Sequence, residues 1–226
     1  MHYRRWLSLG VAIALVALAT PGLATTFRTT RRMAGFSQDN QYYVYLETSR
    51  NSGTGIPKAV LQVIDVAGST CVVGGCLETR YGEADADLSV RDAETDLLQQ
   101  TWVLRQELGL TPPIAGIPLT IASRSRTADG TETVNVNLGD RQSLRFVLQQ
   151  RAESGRASFR LEAQYAGQRR SLGSLNRFLN GILRYSIREV YSSPDEDSVV
   201  VLVTATRPTF QGVLETTLVQ SFELRR

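Results

Sequence analysis

The order of apolar and polar residues along the chain predicts a mainly β protein. Residues 42–46 are aromatic and β-branched, as strands prefer. Residues 199–203 are apolar on both faces, which is typical of a central strand covered on both sides. With polar turns between them, strands are predicted at residues 42–46, 59–67, 118–123, 133–137, 143–150, 157–166, 183–191, 198–206 and 213–224.

One segment departs from this alternation and has helical spacing. Apolar residues recur every three or four positions between Glu83 and Leu110, and Ser89 followed by Asp92 resembles a capping box. Gly109 and the two prolines soon after it end the helix. We therefore expect one long amphipathic helix packed on a β domain. That domain is either a two-sheet sandwich or a propeller-like partial ring.

A short phrase with an aspartate turn occurs twice. Residues 36–40 read Phe-Ser-Gln-Asp-Asn, residues 191–195 read Tyr-Ser-Ser-Pro-Asp, and each phrase precedes a predicted strand. Similar turns punctuate the blades of β-propellers. Two copies about 156 residues apart do not make a period, and the chain is short for a complete propeller.

The first 24 residues have the three parts of a secretory signal peptide. Two arginines precede an apolar run from Trp6 to Ala19, and small residues follow as far as Ala24. We expect cleavage between Ala24 and Thr25, which leaves a single β-rich domain at residues 25–226. The apolar run is short for a membrane-spanning helix, so a retained anchor is the less favoured interpretation and no stable membrane insertion is expected after cleavage. The expected location is periplasmic or extracellular.

Charge and histidine content exclude several functions. The chain has 226 residues with 25 Lys plus Arg and 22 Asp plus Glu, and removal of the leader takes away two arginines. A nearly neutral mature chain attracts nucleic acid weakly, so no nucleic-acid partner is expected. The one histidine is His2, within the leader, which excludes histidine-dependent triads and imidazole metal sites from the mature protein. We predict no catalytic, cofactor-binding or metal-binding residues and no cofactor.

The two cysteines, Cys71 and Cys76, are separated by the four residues Val-Val-Gly-Gly. In an oxidising compartment a disulfide is the favoured interpretation, because the two glycines supply the flexibility that a small ring needs. Two free thiols on a turn are the alternative.

Several other groups have both a structural and a functional interpretation. Alternation places Tyr43 and Tyr45 on one face of a strand and Tyr42 on the other; they are expected to be core, with a ligand-stacking platform as the alternative. The pairs Arg31-Arg32 and Arg169-Arg170 are expected to be surface charge rather than contacts for an anionic partner.

Two loops resemble ligand sites incompletely. Residues 51–55 lack the lysine and the helix of a phosphate loop, so a hairpin loop is favoured. Glu83, Asp85 and Asp87 alternate as calcium ligands do, but the EF-hand glycine is missing. The favoured interpretation is that these acids lie at the start of the helix, where their negative charge interacts with the positive end of the helix dipole.

Three phrases carry a resemblance to a known family. Residues 35–42 and the Val-Ile-Asp-Val-Ala at residues 63–67 resemble the opening of the predicted secreted proteins catalogued as domain of unknown function 2259 (DUF2259), and residues 185–191 resemble a later phrase. The family's usual proline and glycine are replaced here by Gln38 and Asn40. The resemblance implies export and no particular activity.

Taken together, these features predict an exported, non-enzymatic protein that binds an unknown envelope protein or polymer. A carboxylate-based hydrolase of an envelope polymer is the alternative, and a calcium-stabilised module is a third. Two acids about 5 to 10 Å apart in a cleft favour the hydrolase. An exposed apolar patch without such acids favours the binding protein.

We expect the exported form of the protein to begin at Thr25, because the small residue Ala24 precedes the predicted cleavage site. Intact-mass measurement of the protein recovered from the envelope and culture fractions checks this. Recovery of a cytosolic chain that still carries Met1 contradicts it.

Overall fold

The computed structural model describes residues 25–138 and 142–224, so the expected signal peptide with Ala24 lies outside the described residues. Strands account for 59% of the structure, which confirms the mainly β class. The helical segments are a short 3-10 turn (Glu83–Asp85), α1 (Val90–Gln100) and α2 (Trp102–Glu107). The strands are β1 (Thr25–Arg28), β2 (Thr30–Phe36), β3 (Tyr42–Arg50), β4 (Pro57–Asp65), β5 (Thr70–Glu78), β6 (Ile117–Pro118), β7 (Ile121–Arg126), β8 (Glu132–Leu138), β9 (Gln142–Glu153), β10 (Arg156–Tyr165), β11 (Gln168–Gly173), β12 (Leu179–Asn180), β13 (Arg184–Ser192), β14 (Ser198–Thr209) and β15 (Gly212–Glu223).

These strands form three sheets. Sheet A has the order β1-β15-β14-β13-β6, and sheet B has the order β2-β3-β4-β5. Sheet C has the order β11-β10-β9-β8-β7, with β12 added beside β10. Neighbouring strands are antiparallel except β1, which lies parallel to β15. One of the sheets curls into a half-barrel.

Sheet A lies between the other two sheets, and β14 is its central strand. Val201 and Val203 pack into the core shared with sheet C. Val200 and Leu202 pack into the core shared with sheet B. The opposite face of sheet B is covered by α1, where Leu97 belongs to a third core. The layers are therefore helix, sheet B, sheet A and sheet C, and the prediction of a central strand at residues 199–203 is confirmed.

The long helix expected from Glu83 to Leu110 is divided. Ser89 and Asp92 form the predicted capping box, so α1 starts only after Ser89. At the other end, the Thr101 hydroxyl donates to the carbonyl oxygen of Leu97 at 2.7 Å, and the backbone of Thr101 leaves the helical region. A threonine hydroxyl that donates to a carbonyl oxygen of its own helix competes with the regular backbone hydrogen bonds of that helix. The prediction of one continuous helix was therefore wrong, although its capped start was right.

The strand expected at residues 118–123 is also divided. Leu119 donates its N–H to Val190 of β13 at 2.9 Å, whereas the Thr120 carbonyl accepts from the N–H of Asn137 in β8 at 3.3 Å. The chain therefore crosses from sheet A to sheet C at this point. Apolar and polar residues continue to alternate through this crossing, but no single sheet forms hydrogen bonds with the whole segment.

The two aspartate turns have the same geometry. Ser37 donates its hydroxyl hydrogen to Asp39, and Ser193 donates to Asp195 in the same way. The residue after each aspartate has a φ of 59°. Each turn joins antiparallel strands, and the strand before it has a register shift at the equivalent position, five residues before the serine. The repeated phrase therefore marks equivalent strand pairs in sheets A and B.

Side chains from sheet B complete the backbone hydrogen bonds of β15. β1 pairs with only the first four residues of β15, so the edge beyond them needs other partners. The Gln62 amide donates to the Thr217 carbonyl at 2.8 Å and accepts from the Val219 N–H at 3.2 Å. The Glu47 carboxylate accepts from the Thr217 N–H at 3.0 Å. These contacts fix the edge of sheet A against the face of sheet B.

We expect Gln62→Ala to lower the free energy of unfolding by about 1 to 2 kcal/mol, because one backbone donor and one acceptor lose their partner. Chemical denaturation measures the difference. Gln99→Ala, at an exposed position of α1, is the matched control and changes stability by less than about 0.5 kcal/mol. Equal stabilities of the two variants contradict this role of Gln62.

Candidate functional site

An open cleft, here called the interlayer cleft, lies where the face of sheet B meets the edge of sheet A. Its inner chamber has a volume of about 530 Å³ and lies between β4, β5 and β15. Its outer chamber, of about 480 Å³, lies between residues 51–54 and the hairpin of β14 and β15. Four residues line both chambers and mark their junction: Ser49, Lys58, Arg207 and Leu214.

The walls of both chambers are largely apolar. Val60, Leu77 and Leu218 line the inner chamber. Phe27 and Phe210 line the outer chamber, and Phe210 is 91% exposed at the tip of its hairpin. An open cavity with apolar walls and few polar groups is the usual form of a small-ligand site.

The disulfide between Cys71 and Cys76 forms part of the inner chamber wall. Cys71 pairs with Ile64 and Cys76 with Gln62, so the four residues between the cysteines form a bulge on the outer strand of sheet B. Val73 in this bulge is 95% exposed. A bulge on an edge strand interrupts the row of backbone groups that another chain would pair with.

A buried carboxylate lies at the floor of the inner chamber. Glu47 is 1% exposed, and one of its oxygens accepts from the Thr29 hydroxyl at 2.6 Å. Its other oxygen accepts from the Thr217 N–H at 3.0 Å. Both oxygens are therefore engaged by donors that hold the sheets together. A group in this position is a structural acceptor rather than a free acid or base.

A second carboxylate, Glu78, lies on the same wall. Glu47 and Glu78 both pair with Val60 of the strand between them, which places their Cα atoms about 10 Å apart. Glu78 is 56% exposed and forms an ion pair with Lys58 at 2.6 Å. The two carboxylates thus have different environments, one buried and one in solvent.

The junction of the two chambers is cationic. Lys58 is half-exposed and shares its charge with Glu78. Arg207 is partly buried and makes no ion pair with any carboxylate among the described residues. The junction therefore presents two positive charges against one negative charge, next to apolar walls. Sequence reasoning did not single out these residues, although Lys58 is the only lysine of the chain.

A separate polar cluster lies between β2 and β13. Arg31 lies over the rings of Tyr45 and Tyr191, at 5.8 and 5.6 Å from their centres. Its guanidinium donates to Glu189 and to the Tyr191 hydroxyl. Arg31 was predicted to be surface charge; its side chain is 29% exposed and partly covered, because β13 brings Glu189 and the Tyr191 ring over it. Its neighbour Arg32 forms an exposed pair with Glu94.

The electrostatics of this cluster favour ionised Glu189. Burial opposes ionisation, but hydrogen bonds from Tyr191 and Arg31 outweigh it and hold the pKa of Glu189 below its ordinary value. Burial raises the pKa of Tyr43, whose ring packs beside the cluster. A small cavity of about 240 Å³ adjoins Arg31 and Tyr43, but the charge of Arg31 is already neutralised by Glu189.

The tyrosine prediction is confirmed. Tyr43 and Tyr45 are 1% and 0% exposed and pack between sheets A and B. Tyr42 is on the opposite face, against the core under α1. These rings are core residues, so they leave no free aromatic platform.

The remaining candidates have structural roles. Asn51 accepts from the N–H groups of Gly53 and Thr54, so residues 51–55 form a hairpin loop that walls the outer chamber. Arg169 and Arg170 lie at the surface, paired with Glu162 and Glu223. Within residues 25–138 and 142–224, no three acidic, cysteine or histidine side chains are arranged to hold a metal ion. No helix in the same ranges is long and apolar enough to cross a membrane.

We expect Glu189→Gln to lower the free energy of unfolding by about 1 to 2 kcal/mol at pH 7, because a neutral amide accepts weaker hydrogen bonds from Arg31 and Tyr191. The loss is limited by solvent, since the Glu189 side chain is 32% exposed. A depressed pKa contributes stability above the ordinary carboxyl pKa of about 4.3, and this contribution is lost as the pH falls below it. Denaturation between pH 3 and pH 8 therefore shows the difference shrinking on the acid side. Glu107→Gln, at an exposed position, shows no such pH dependence; a pH-independent loss in Glu189→Gln contradicts the assignment.

Comparison with known proteins agrees with the resemblance of the three sequence phrases. No curated protein matches the chain. The family model of DUF2259, described as a predicted secreted protein, matches residues 42–221. This range includes β3 to β5, β14 and most of β15, which form most of the interlayer cleft. The chain belongs to the DUF2259 family of predicted secreted proteins.

Proposed function

We propose that this protein acts in the periplasm or outside the cell as a non-enzymatic binding protein whose ligand occupies the interlayer cleft. The observation that carries the proposal is the combination of open apolar chambers with a cationic junction. Ligand sites of about 300 to 1,000 Å³ with apolar walls and a few polar groups are common in proteins.

Three carboxylates that are buried or partly buried support binding over catalysis. Glu132, like Glu47, is 1% exposed, and it accepts from Arg126 and from the Ile187 N–H at 3.0 Å each. Glu189 is held by Arg31 in the same manner. A general acid or base must be free to exchange a proton with a bound substrate. These three carboxylates are instead engaged by donors of the protein itself.

One observation favours the hydrolase alternative. Glu47 and Glu78 pair with the same residue, Val60, and line one chamber, so two carboxylates of different environment border one cavity, as glycoside hydrolysis requires. The engaged oxygens of Glu47 weigh against this role.

Other features support the proposed location. Disulfides persist in oxidising compartments, and this one forms part of the cleft wall. Family membership supports export. Without its expected leader the chain is nearly neutral, which disfavours nucleic acid, so an envelope protein or polymer is the proposed source of the ligand.

Photocrosslinking in the exported fraction tests the proposal. A benzophenone amino acid is placed at Glu78, on the rim of the inner chamber, and at the exposed Arg151 of β9 as the matched control. We expect an adduct at position 78 that is absent at position 151. Val60→Trp fills the inner chamber and is expected to abolish the adduct, whereas Val103→Trp, at an exposed site on α2, leaves it unchanged.

Circular dichroism and melting temperature establish that each variant is folded. Equal labelling at both positions, or no labelling at position 78, overturns the binding proposal. The hydrolase alternative has its own readout: release of soluble fragments from envelope polymers by the wild type, lost in a folded Glu47→Gln variant.

A further inference from the structure

We propose that the ligand of the interlayer cleft is an anionic amphiphile, with its acyl chain in the inner chamber and its anionic head at Lys58 and Arg207, where the two chambers meet. This inference rests on the proposed function and specifies the chemistry of its ligand. It follows from three features of the cleft: the charge of the junction, the shape and lining of the chambers, and the state of the backbone around them.

The charge of the junction selects an anion. Arg207 makes no ion pair with a described carboxylate, although it is partly buried beside the apolar residue Leu214. Lys58 lines the same two chambers and extends its ammonium to the exposed Glu78. A phosphate or carboxylate head between the two cations would neutralise charge that the chain itself leaves uncompensated. Arginine and lysine are the usual recognition groups for such heads.

The lining selects an apolar chain. From the junction, the inner chamber continues along Val60, Leu77 and Leu218, and the outer chamber along Phe27 and Phe210. Each chamber alone is within the range of about 300 to 1,000 Å³ that small ligands occupy. Phe210, 91% exposed, extends the apolar wall beyond the mouth of the cleft. Exposed aromatic rings at a cavity mouth provide a surface for a chain that enters from solvent.

The backbone around the inner chamber disfavours an extended peptide as the occupant. Peptides that bind along a sheet edge gain affinity from unpaired main-chain groups. Here the nearest edge, β15, has its Thr217 and Val219 groups satisfied by Gln62 and Glu47. The outer strand of sheet B carries the disulfide-closed bulge at residues 72–75. The cleft therefore offers side chains and charge rather than a free edge.

Isothermal titration of the mature full-length protein with dodecyl phosphate, below its critical micelle concentration, tests the proposal. Each buried methylene contributes about fourfold in affinity, so octyl phosphate is expected to bind at least about tenfold more weakly. Dodecyl maltoside, with the same chain and a neutral head, is also expected to bind at least about tenfold more weakly. Equal affinity for the phosphate and the maltoside overturns the assignment of the head, and equal affinity for both chain lengths overturns the assignment of the chain.

Substitutions at the junction separate charge from shape. Arg207→Gln is expected to weaken binding of dodecyl phosphate about threefold to tenfold, and Arg151→Gln, a matched loss of charge on sheet C, to leave it unchanged. Lys58→Gln and Glu78→Gln break the same ion pair but have opposite expected effects. The first removes a cation and weakens binding, whereas the second frees the cation and strengthens it. Loss of affinity in both variants overturns the charge assignment.

The outcomes also distinguish this inference from the proposed function. An adduct at position 78 without binding of dodecyl phosphate leaves a binding cleft whose ligand has another chemistry, and overturns only this inference. The protein could also bind phosphatidylglycerol vesicles equally well with and without the Val60→Trp substitution while not binding monomeric dodecyl phosphate. That result indicates adsorption to the vesicle surface and also overturns the amphiphile assignment. Binding of dodecyl phosphate that Val60→Trp abolishes supports both proposals.

Discussion

The edge of β15 depends on side chains of another sheet for its hydrogen bonds, and this constraint determines how the layers meet. A backbone edge that leaves water must find partners for each N–H and C=O group. The Gln62 amide bonds to the carbonyl group of Thr217 and the N–H of Val219, two residues apart on β15. The Glu47 carboxylate accepts from the Thr217 N–H, and the Ser69 hydroxyl accepts from the Ser221 N–H. Because these bonds draw the edge of sheet A onto the face of sheet B, the interlayer cleft opens beside them.

The same constraint explains why buried acids do not imply catalysis here. Glu47 is buried because the edge of β15 needs an acceptor. The Glu132 carboxylate accepts a hydrogen bond from the Ile187 N–H and forms ion pairs with Arg124 and Arg126, where sheets A and C pack together. In each case the carboxylate connects layers. At the junction of the chambers, Arg207 has no carboxylate partner among the described residues and Lys58 pairs only with the exposed Glu78, which supports the proposal that the cleft binds an anion.

Local features of the fold could be predicted, whereas pairing between distant segments could not. The capping box at Ser89, the central strand around Val201 and the two aspartate turns each depend on neighbours in the sequence. β2 and β5 were not predicted, because arginines in the first and a Gly-Gly pair in the second mask the strand pattern. The partial burial of Arg31 depends on Glu189 and Tyr191, more than 150 residues further along the chain.

The sequence alone determined the mainly β class, the absence of histidine beyond His2, the resemblance to a family of predicted secreted proteins and the proximity of Cys71 to Cys76. Each follows from composition or from contacts between residues close in the chain. Only the tertiary structure decided that Lys58 and Arg207 share a cleft and that Glu47 is a structural acceptor. The physical reason is that a cleft forms where segments far apart in sequence approach each other, and local periodicity contains no information about that approach.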